Sequence, residues 1–428
     1  MTDTPAFDVQ AVRDHFPALS RRVDGRPLAF LDGPAGTQVP HECIDGIVAY
    51  LETSNANLHG AFLTSHETDA MMDEVHAAAA DFLGAADGSE ITFGANMTTL
   101  TFAVSRAIGR TLTAGDEIVV TQLDHDGDVA PWLTMAEERG AVIRQVGIRP
   151  EDCTLDMDAL EAALSPRTRL VAVTLASNAV GSIPPVARIA EMVHAAGAWL
   201  WVDAVHAGPH LPIDVAALGA DFLICSPYKF FGPHLGLLWA RRELLESLPA
   251  VKVRPAADDL PGRWETGTQS HEMLAGLLGT FRYLEWVGVS QGGASGEPGA
   301  ADGRRRTRLK AAMTASRAYE RSLIPPLISG LCSVPGLQIR GIVDPAHFDE
   351  RCPTVSFTLG ERHPRAIAEV LGQRGIFSWD GDNYAYELIR ALGLAESGGM
   401  VRVGLVHYNT LDEIDRLVEA LREIAAGR

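Results

Sequence analysis

The chain reads as an α/β protein, with a largely parallel sheet covered by helices on both faces and a smaller α/β unit after it. Three observations predict this. Between residues 117 and 240, short apolar runs alternate with helix-compatible segments, and strand–helix–strand repetition builds parallel sheets. The runs at 170–175 and 198–202 are continuous rather than alternating, as in strands buried on both faces. The 428 residues, 46% hydrophobic and 21% charged, suffice for two or three domains and a large core.

Residues 9–16 form an amphipathic helical pattern, and 28–31 a strand closing on the glycine-rich turn Asp32-Gly33-Pro34-Ala35-Gly36-Thr37. Helical periodicity follows at 41–52 and 68–83, with Asn55-Ala56-Asn57-Leu58-His59-Gly60 between them. A strand at Ile91 then meets the turn Gly94-Ala95-Asn96-Met97-Thr98 and a helix over 100–108. A strand, a small-residue turn and a helix start gather free N–H groups and a positive dipole end, an anion site suited to phosphate. Asn96 or Thr98 would serve equally as a plain helix cap. Strand 117–121 ends at Asp124-His125-Asp126, and strand 170–175 at Ser177-Asn178, where an Asn also suits a simple turn. Helices are expected at 155–164, 189–196 and 215–219. Strand 221–225 runs into Ser226-Pro227-Tyr228-Lys229 and the turn Phe230-Phe231-Gly232-Pro233, and 235–239 returns as a strand.

Beyond it, 254–260 is a polar loop and 273–287 a helix. The Gly-, Ala- and Ser-rich stretch 290–306 reads as a flexible surface loop whose closing arginines are solvated. A long helix from 309 towards 328, strands at 337–342, 354–359 and 400–403, and helices at 364–374 and 410–424 make up the smaller unit. The expected division is a large domain over 28–290, a small domain from 1–27 with 307–428, and the loop 290–306.

A net charge of −19 argues against nucleic acid and anionic membranes as partners. No apolar run approaches the roughly 20 residues of a membrane span, and the N-terminus lacks the basic-then-apolar order of an export signal. Five scattered cysteines without C-x-x-C spacing indicate a reducing cytoplasm and no structural metal. Neither the dinucleotide nor the nucleoside-triphosphate glycine loop occurs.

The chemistry lies where strands 198–202 and 221–225 end. They deliver Asp203 and Lys229 to neighbouring positions, where α/β sheets build sites. A lysine enclosed by Pro227 and Phe230-Phe231-Gly232-Pro233 is poorly solvated. Burial lowers its pKa and makes it a nucleophilic amine, the requirement for a Schiff base.

The pattern V-D-x-x-H at Val202–His206, S-x-x-K at Ser226–Lys229 and F-G-P-x-x-G at Phe231–Gly236 resembles the class V aminotransferase and cysteine desulfurase family. The resemblance extends from Leu31 to about Leu421. It implies fold type I of the pyridoxal-phosphate (PLP) enzymes, with a seven-stranded, mostly parallel sheet. It also implies PLP on Lys229 as a Schiff base, Asp203 against the ring nitrogen, His125 stacked on the ring and exchanging protons, and His206 and Asn178 near the phenolic oxygen. Asn96, Met97, Thr98, Ser226 and Tyr228 would hold the phosphate, helped by Gly267 and Thr268 across a homodimer interface. Arg402 would bind the substrate carboxylate with its planar fork, and His59 and Asn178 would face the substrate.

Two departures matter. Asp126 and Asp128 replace commoner small and amide residues and bring acid towards the ring. In the segment 375–384, Trp379 stands where desulfurases of the nearest group carry Arg, and Tyr384 stands near their nucleophilic Cys, while no cysteine falls in the segment. Persulfide chemistry needs a thiolate beside the substrate sulfur. The expected activity is therefore lyase or aminotransferase-type chemistry on an amino acid, with Lys229 as base and with Trp379 and Tyr384 walling the pocket. Alternatives are a true cysteine desulfurase or selenocysteine lyase, an epimerase, and a catalytically silent scaffold.

Overall fold

The computed structural model describes residues 7–23 and 25–427. Strands β1 (Ile91–Gly94), β2 (Glu117–Thr121), β3 (Val142–Val146), β4 (Thr168–Thr174), β5 (Trp199–Asp203), β6 (Phe222–Cys225) and β7 (Gly236–Ala240) form one sheet in the order β1-β7-β6-β5-β4-β2-β3. All neighbours from β6 to β3 are parallel, and β7 alone runs against both its partners. The continuous apolar runs divide by period two, as a sheet covered on both faces requires. Val119, Val171, Val173, Leu200, Val202 and Leu223 enter one core, and Ile118, Val120, Leu170, Ala172, Trp201 and Ile224 enter the other. Strand β3 had no clear signal, because it is an edge strand that exposes Arg144 and Gln145.

Helices α1 (His41–Thr53), α2 (Leu63–Leu83), α3 (Met97–Gly109), α4 (His271–Ser290) and α5 (Arg305–Cys332) lie around this sheet. Helix α2 starts five residues before the predicted one, since its first residue, Leu63, points outward at 72% exposure and hides the periodicity. Helices α1 and α4 cross at Gly279, where a Cβ would lie 2.0 Å from the Glu42 carbonyl oxygen.

The smaller sheet is antiparallel, with β8 (Leu337–Arg340), β9 (Thr354–Leu359), β10 (Trp379–Gly381) and β11 (Met400–Gly404) in the order β8-β9-β11-β10. Helix α5 and the helix Pro364–Gln373 pack on it, and α6 (Leu411–Ala425) packs on both helices and shares the same core. A capping box between Thr410 and Glu413 starts α6. The N-terminal segment lies between the two units. Val12, Phe16 and Leu19 join the large-sheet core, while Ala29–Phe30 pairs in parallel with Ile376–Phe377. Residues 1–6 of the segment expected in the small domain lie outside the described residues.

Of the three arginines expected to be solvated, Arg304 stays exposed, whereas Arg305 and Arg306 are ion-paired. Helix α5 begins at Arg305 and carries the cluster onto acids of α2 and α4. Arg305 meets Glu74 and Asp81, and Arg306 meets Asp81 at 3.3 Å. Arg308, fully buried, binds Glu285 and Asp302.

Candidate active site

Strands β5 and β6 end side by side, with Asp203 in register with Ile224. The loops leaving them meet the loop after β2 and the start of α3 around one cavity. Asn96, Met97, Thr98, His125, Asn178, Asp203, His206, Ser226, Tyr228 and Lys229 all line it, joined by Thr174 and Val205.

Lys229 sits in a 3-10 turn whose continuation, Phe231, has φ +72°. The glycine-rich turn clamps this strained backbone. The Phe231 N–H donates to Thr37 Oγ1 at 2.8 Å, and the Thr37 N–H donates to the Tyr228 carbonyl at 3.0 Å. Lys229 Nζ donates to the carbonyls of Pro34 and Ala35. Burial, reinforced by the nearby Arg402 charge and opposed by Asp203, brings its pKa down to about 7. A large share is therefore free amine near neutrality.

Asp203 is buried, and its Oδ1 accepts the Val205 N–H at 2.8 Å. Burial raises it to about 6, against the pull of that N–H and of Lys229. It remains mostly ionised at neutral pH.

His125 differs from expectation. Burial, then the charges of Lys229 and Arg402, lower it to about 4 rather than leaving it near the ordinary histidine value. Its Nδ1 accepts the Gly127 N–H at 2.9 Å, so the neutral ring carries its proton on Nε2. One face is covered by Tyr384, whose ring stacks on it at 5.3 Å and 17°.

Asn96 caps α3 by accepting the Thr99 N–H at 2.9 Å, so its side-chain oxygen is engaged and its amide nitrogen is left for a ligand. The Thr98 hydroxyl lies against Gly127. Tyr228 stacks on His234 at 4.7 Å, with the Lys229 ammonium over its ring. His206 is buried, its Nε2 is 3.0 Å from Thr354 Oγ1, and burial holds its pKa well below the ordinary value. Asn178 donates its amide to the Asn383 carbonyl at 2.8 Å, and its own Oδ1 is buried without a partner. Arg402 Nη1 donates to the Asn178 backbone oxygen at 2.8 Å, while its Nε is buried and unpartnered. Burial lowers Arg402 to about 10.

Five expected residues lie elsewhere. His59 is at the surface with φ +64°, paired with Asp69 at 3.2 Å. Gly267 and Thr268 are exposed and line a separate groove beside Ala95 and Thr99. Trp379, half-exposed, is paired with Arg402 across β10 and β11. Tyr384, at the mouth, is 71% exposed and follows Asn383 in two successive left-handed conformations. All five cysteines are unpaired and none lines the cavity.

Sequence reasoning gave no site role to Asp32, a partly buried acid whose Oδ1 is buried without a partner and which feels Arg402, or to the fully buried Asp124. Both stand beside motif residues, but an acid in a turn usually faces water.

The residues present fit a phosphate-bearing pyridine ring. A helix N-terminus with hydroxyls of Thr98 and Ser226 stands beside a depressed lysine, with a carboxylate beyond it. Asn178 Oδ1 at the cavity wall, and Arg402 Nε on the guanidinium that holds the Asn178 backbone, are buried and unpartnered.

Comparison with known proteins agrees. The profile described as Aminotransferase class-V matches residues 29–296 and 308–417. A cysteine desulfurase of Enterobacter sp. (strain 638) is 32% identical over 434 residues, covering 98% of each chain. A probable cysteine desulfurase of Mycolicibacterium paratuberculosis is 32% identical over 436 residues, and the chain spans 59% of its length. Among solved structures, an apo cysteine desulfurase from Thermococcus onnurineus NA1 superposes with a TM-score of 0.84 at 24% identity, covering 98% of both chains. A cysteine desulfurase from Escherichia coli does so with a TM-score of 0.81 at 24% identity, covering 99% of both. These two likenesses show the fold.

Proposed function

Because the chain belongs to the class V aminotransferase family, whose members use pyridoxal phosphate, we propose that it is a PLP-dependent enzyme that cleaves a bond of a small amino acid, with L-cysteine as the first substrate to test. The observation that carries this is the lysine of depressed pKa in one cavity with the Asp203 carboxylate and the α3 N-terminus. The relatives' names favour cysteine desulfurase over the lyase or aminotransferase expected from the sequence.

When bound, PLP supplies a ring that stabilises negative charge at the substrate α-carbon. Lys229 would hold it covalently and, once released, take the α-proton with an amine half-deprotonated near neutrality. Asp203, ionised, would keep a proton on the ring nitrogen. His125 would cover one ring face as a neutral imidazole. The α3 N–H groups, Asn96, Thr98, Ser226 and Tyr228 take the phosphate. Arg402 offers its free Nε to the substrate carboxylate.

Homodimer formation is part of the same reading. Ile44, Val48 and Leu51 on α1, with Phe62 and Leu63 at the start of α2, leave an apolar stripe exposed, and Gly267 and Thr268 lie outside their own cavity. The five free thiols support a cytoplasmic setting.

A second reading, a β-eliminating lyase without a persulfide, is favoured by one observation: Tyr384 stands at the loop tip and no thiol lines the cavity. Product analysis with L-cysteine separates the two. A desulfurase forms alanine and loses activity in one of the five Cys→Ser variants, whereas an eliminating lyase forms pyruvate and ammonia and tolerates all five. A purified chain that takes up no PLP would sink both.

A further inference from the structure

The turn that presents His125 also carries a carboxyl group which that account leaves unused. Asp128 closes the 3-10 turn Asp126–Asp128, its N–H donating to the His125 carbonyl at 2.8 Å. Its side chain is completely buried, and neither carboxyl oxygen has a hydrogen-bond partner. The indole N–H groups of Trp132 and Trp201 are also buried and unpartnered, and the two rings pack edge to face at 5.2 Å. Both indoles lie close enough to Asp128 to favour its charged form, though neither meets the geometry of a hydrogen bond. Trp201 precedes Asp203 by two residues on β5 and so shares its face of the sheet.

Two more acids complete the cluster. Asp203 faces the cavity, and Asp124, fully buried, binds the Thr121 hydroxyl through Oδ2 and leaves Oδ1 without a partner. The charges felt at Asp128 are those of Asp203 and Asp124, with no cation among them, and Lys229 acts on Asp203. Three enclosed carboxylates beside one lysine cannot all be ionised, because each charge raises the cost of the next. Asp203 is the member with a backbone N–H donor and a lysine. Asp128 has neither.

We infer that Asp128 is a positioning residue of the cofactor site: an uncharged carboxylic acid that supports Asp203 from behind and leaves the cavity-facing charge of the cluster on Asp203. As a neutral acid it offers one donor and one acceptor, as the amide commoner at this place would. The role rests on the reading of Asp203 as partner of the ring nitrogen. Burial, followed by the charges of Asp203 and Asp124, pushes the Asp128 pKa well above the ordinary carboxylate range, which agrees with the geometry.

The test is infrared spectroscopy of the full-length protein, stripped of cofactor and loaded with PLP. At neutral pH the stripped protein is expected to show the deuterium-sensitive carbonyl band of a protonated carboxylic acid. Asp128→Asn removes a component of that band, and Trp132→Phe shifts it. The acid midpoint of Asp203, near 6, stays within about half a unit in Asp128→Asn. It rises by about one unit in Asp128→Leu, which has the shape but no donor. An unchanged band in Asp128→Asn overturns the inference, because Asp128 is then ionised. An Asp203 midpoint that falls by about one unit or more in Asp128→Asn overturns it too, since a charge has been removed. The loaded protein checks the underlying reading separately. If the pH titration of its visible absorbance is unmoved by Asp203→Asn, the ring-nitrogen assignment fails, whatever the band reports.

Discussion

Buried charge is handled in two opposite ways in this molecule. Under α5, Arg308 is fully buried yet saturated, with Nε on Glu285 and Nη1 on Asp302, and Arg305 extends the network to Glu74. At the cavity, Asp203 is equally buried, and so are Asp124 and Asp128 beside it, but Asp124 Oδ1 and both Asp128 oxygens have no partner. The charges of the α5 network are matched inside the chain, whereas Asp203 is left facing the cavity for something the chain does not contain. Unsatisfied buried polar groups are rare, and they concentrate where a ligand completes them.

The largest effect expected from this contrast belongs to Lys229. Replacing it with Ala removes the only amine that the described residues bring to the cavity. Turnover should fall by about 10⁴-fold or more, the scale set by losing a covalent catalytic group. Borohydride treatment followed by peptide mass analysis should find no cofactor adduct at position 229. An adduct on another lysine would move the centre of the site elsewhere.

The next prediction sets one member of each cluster against the other. Asp203→Asn should lower turnover by about 10²- to 10⁴-fold, with thermal stability held or raised, because a neutral isostere replaces a carboxylate that burial disfavours. Arg308→Met should do the reverse. It strands Glu285 and Asp302 and should destabilise by about 3–5 kcal/mol in denaturant titration, while the cofactor absorbance per folded molecule stays as in the wild type. If both variants lose stability alike, the distinction between matched and waiting charge fails.

How much of this was legible in the sequence follows the same line. The continuous apolar runs announced β4 and β5, and Asp203 and Lys229 could be placed because the one ends, and the other closely follows, a strand whose burial is written in its residues. Strand β3 could not be placed, because an edge strand half in water carries no such run. Arg305 and Arg306 read as solvated because their partners, Glu74, Asp81 and Glu285, lie on helices distant in sequence. Asp124 escaped for a related reason. Its burial depends on Thr121, Thr174 and the end of β5 at Asp203 closing around it, and the last two lie far away in sequence. Tyr384 was visible as a departure, but its stacking on His125 depends on two left-handed residues that no local pattern predicts.

A smaller effect concerns stability against pH. Lys229 titrates near 7 in the folded protein against 10.5 for a free lysine. Between those values the unfolded chain binds the extra proton, so this group makes stability rise with pH from about 7 towards 10. Below 7 both states are protonated and the contribution is constant. Denaturant midpoints of the cofactor-free protein across this range should show the rise, and Lys229→Met should remove that component. A slope that survives the substitution would mean that the lysine is solvated.

The smallest effect comes from an acid that is fully matched. Glu117, buried at the start of β2, accepts hydrogen bonds from Ser165, Arg167 and Arg144, which together lower it to about 2 from 4.5. Its stabilisation is present above about 4.5 and is lost as pH falls towards 2, whereas Asp203, raised to about 6 from 3.8, makes stability fall as pH rises through that interval. The same chemical group thus gives opposite slopes in the two settings. Arg167 is 64% exposed, so its own share is screened by water. Arg167→Ala should therefore cost only about 0–1 kcal/mol, because Ser165 and Arg144 continue to hold the carboxylate. Denaturant titration at neutral pH and near pH 3 measures it, and the loss should be no larger at the acid end. A loss of several kcal/mol would show that Glu117 depends on that one arginine, which would make the scaffold's paired acids as exposed to a single missing partner as those at the cavity.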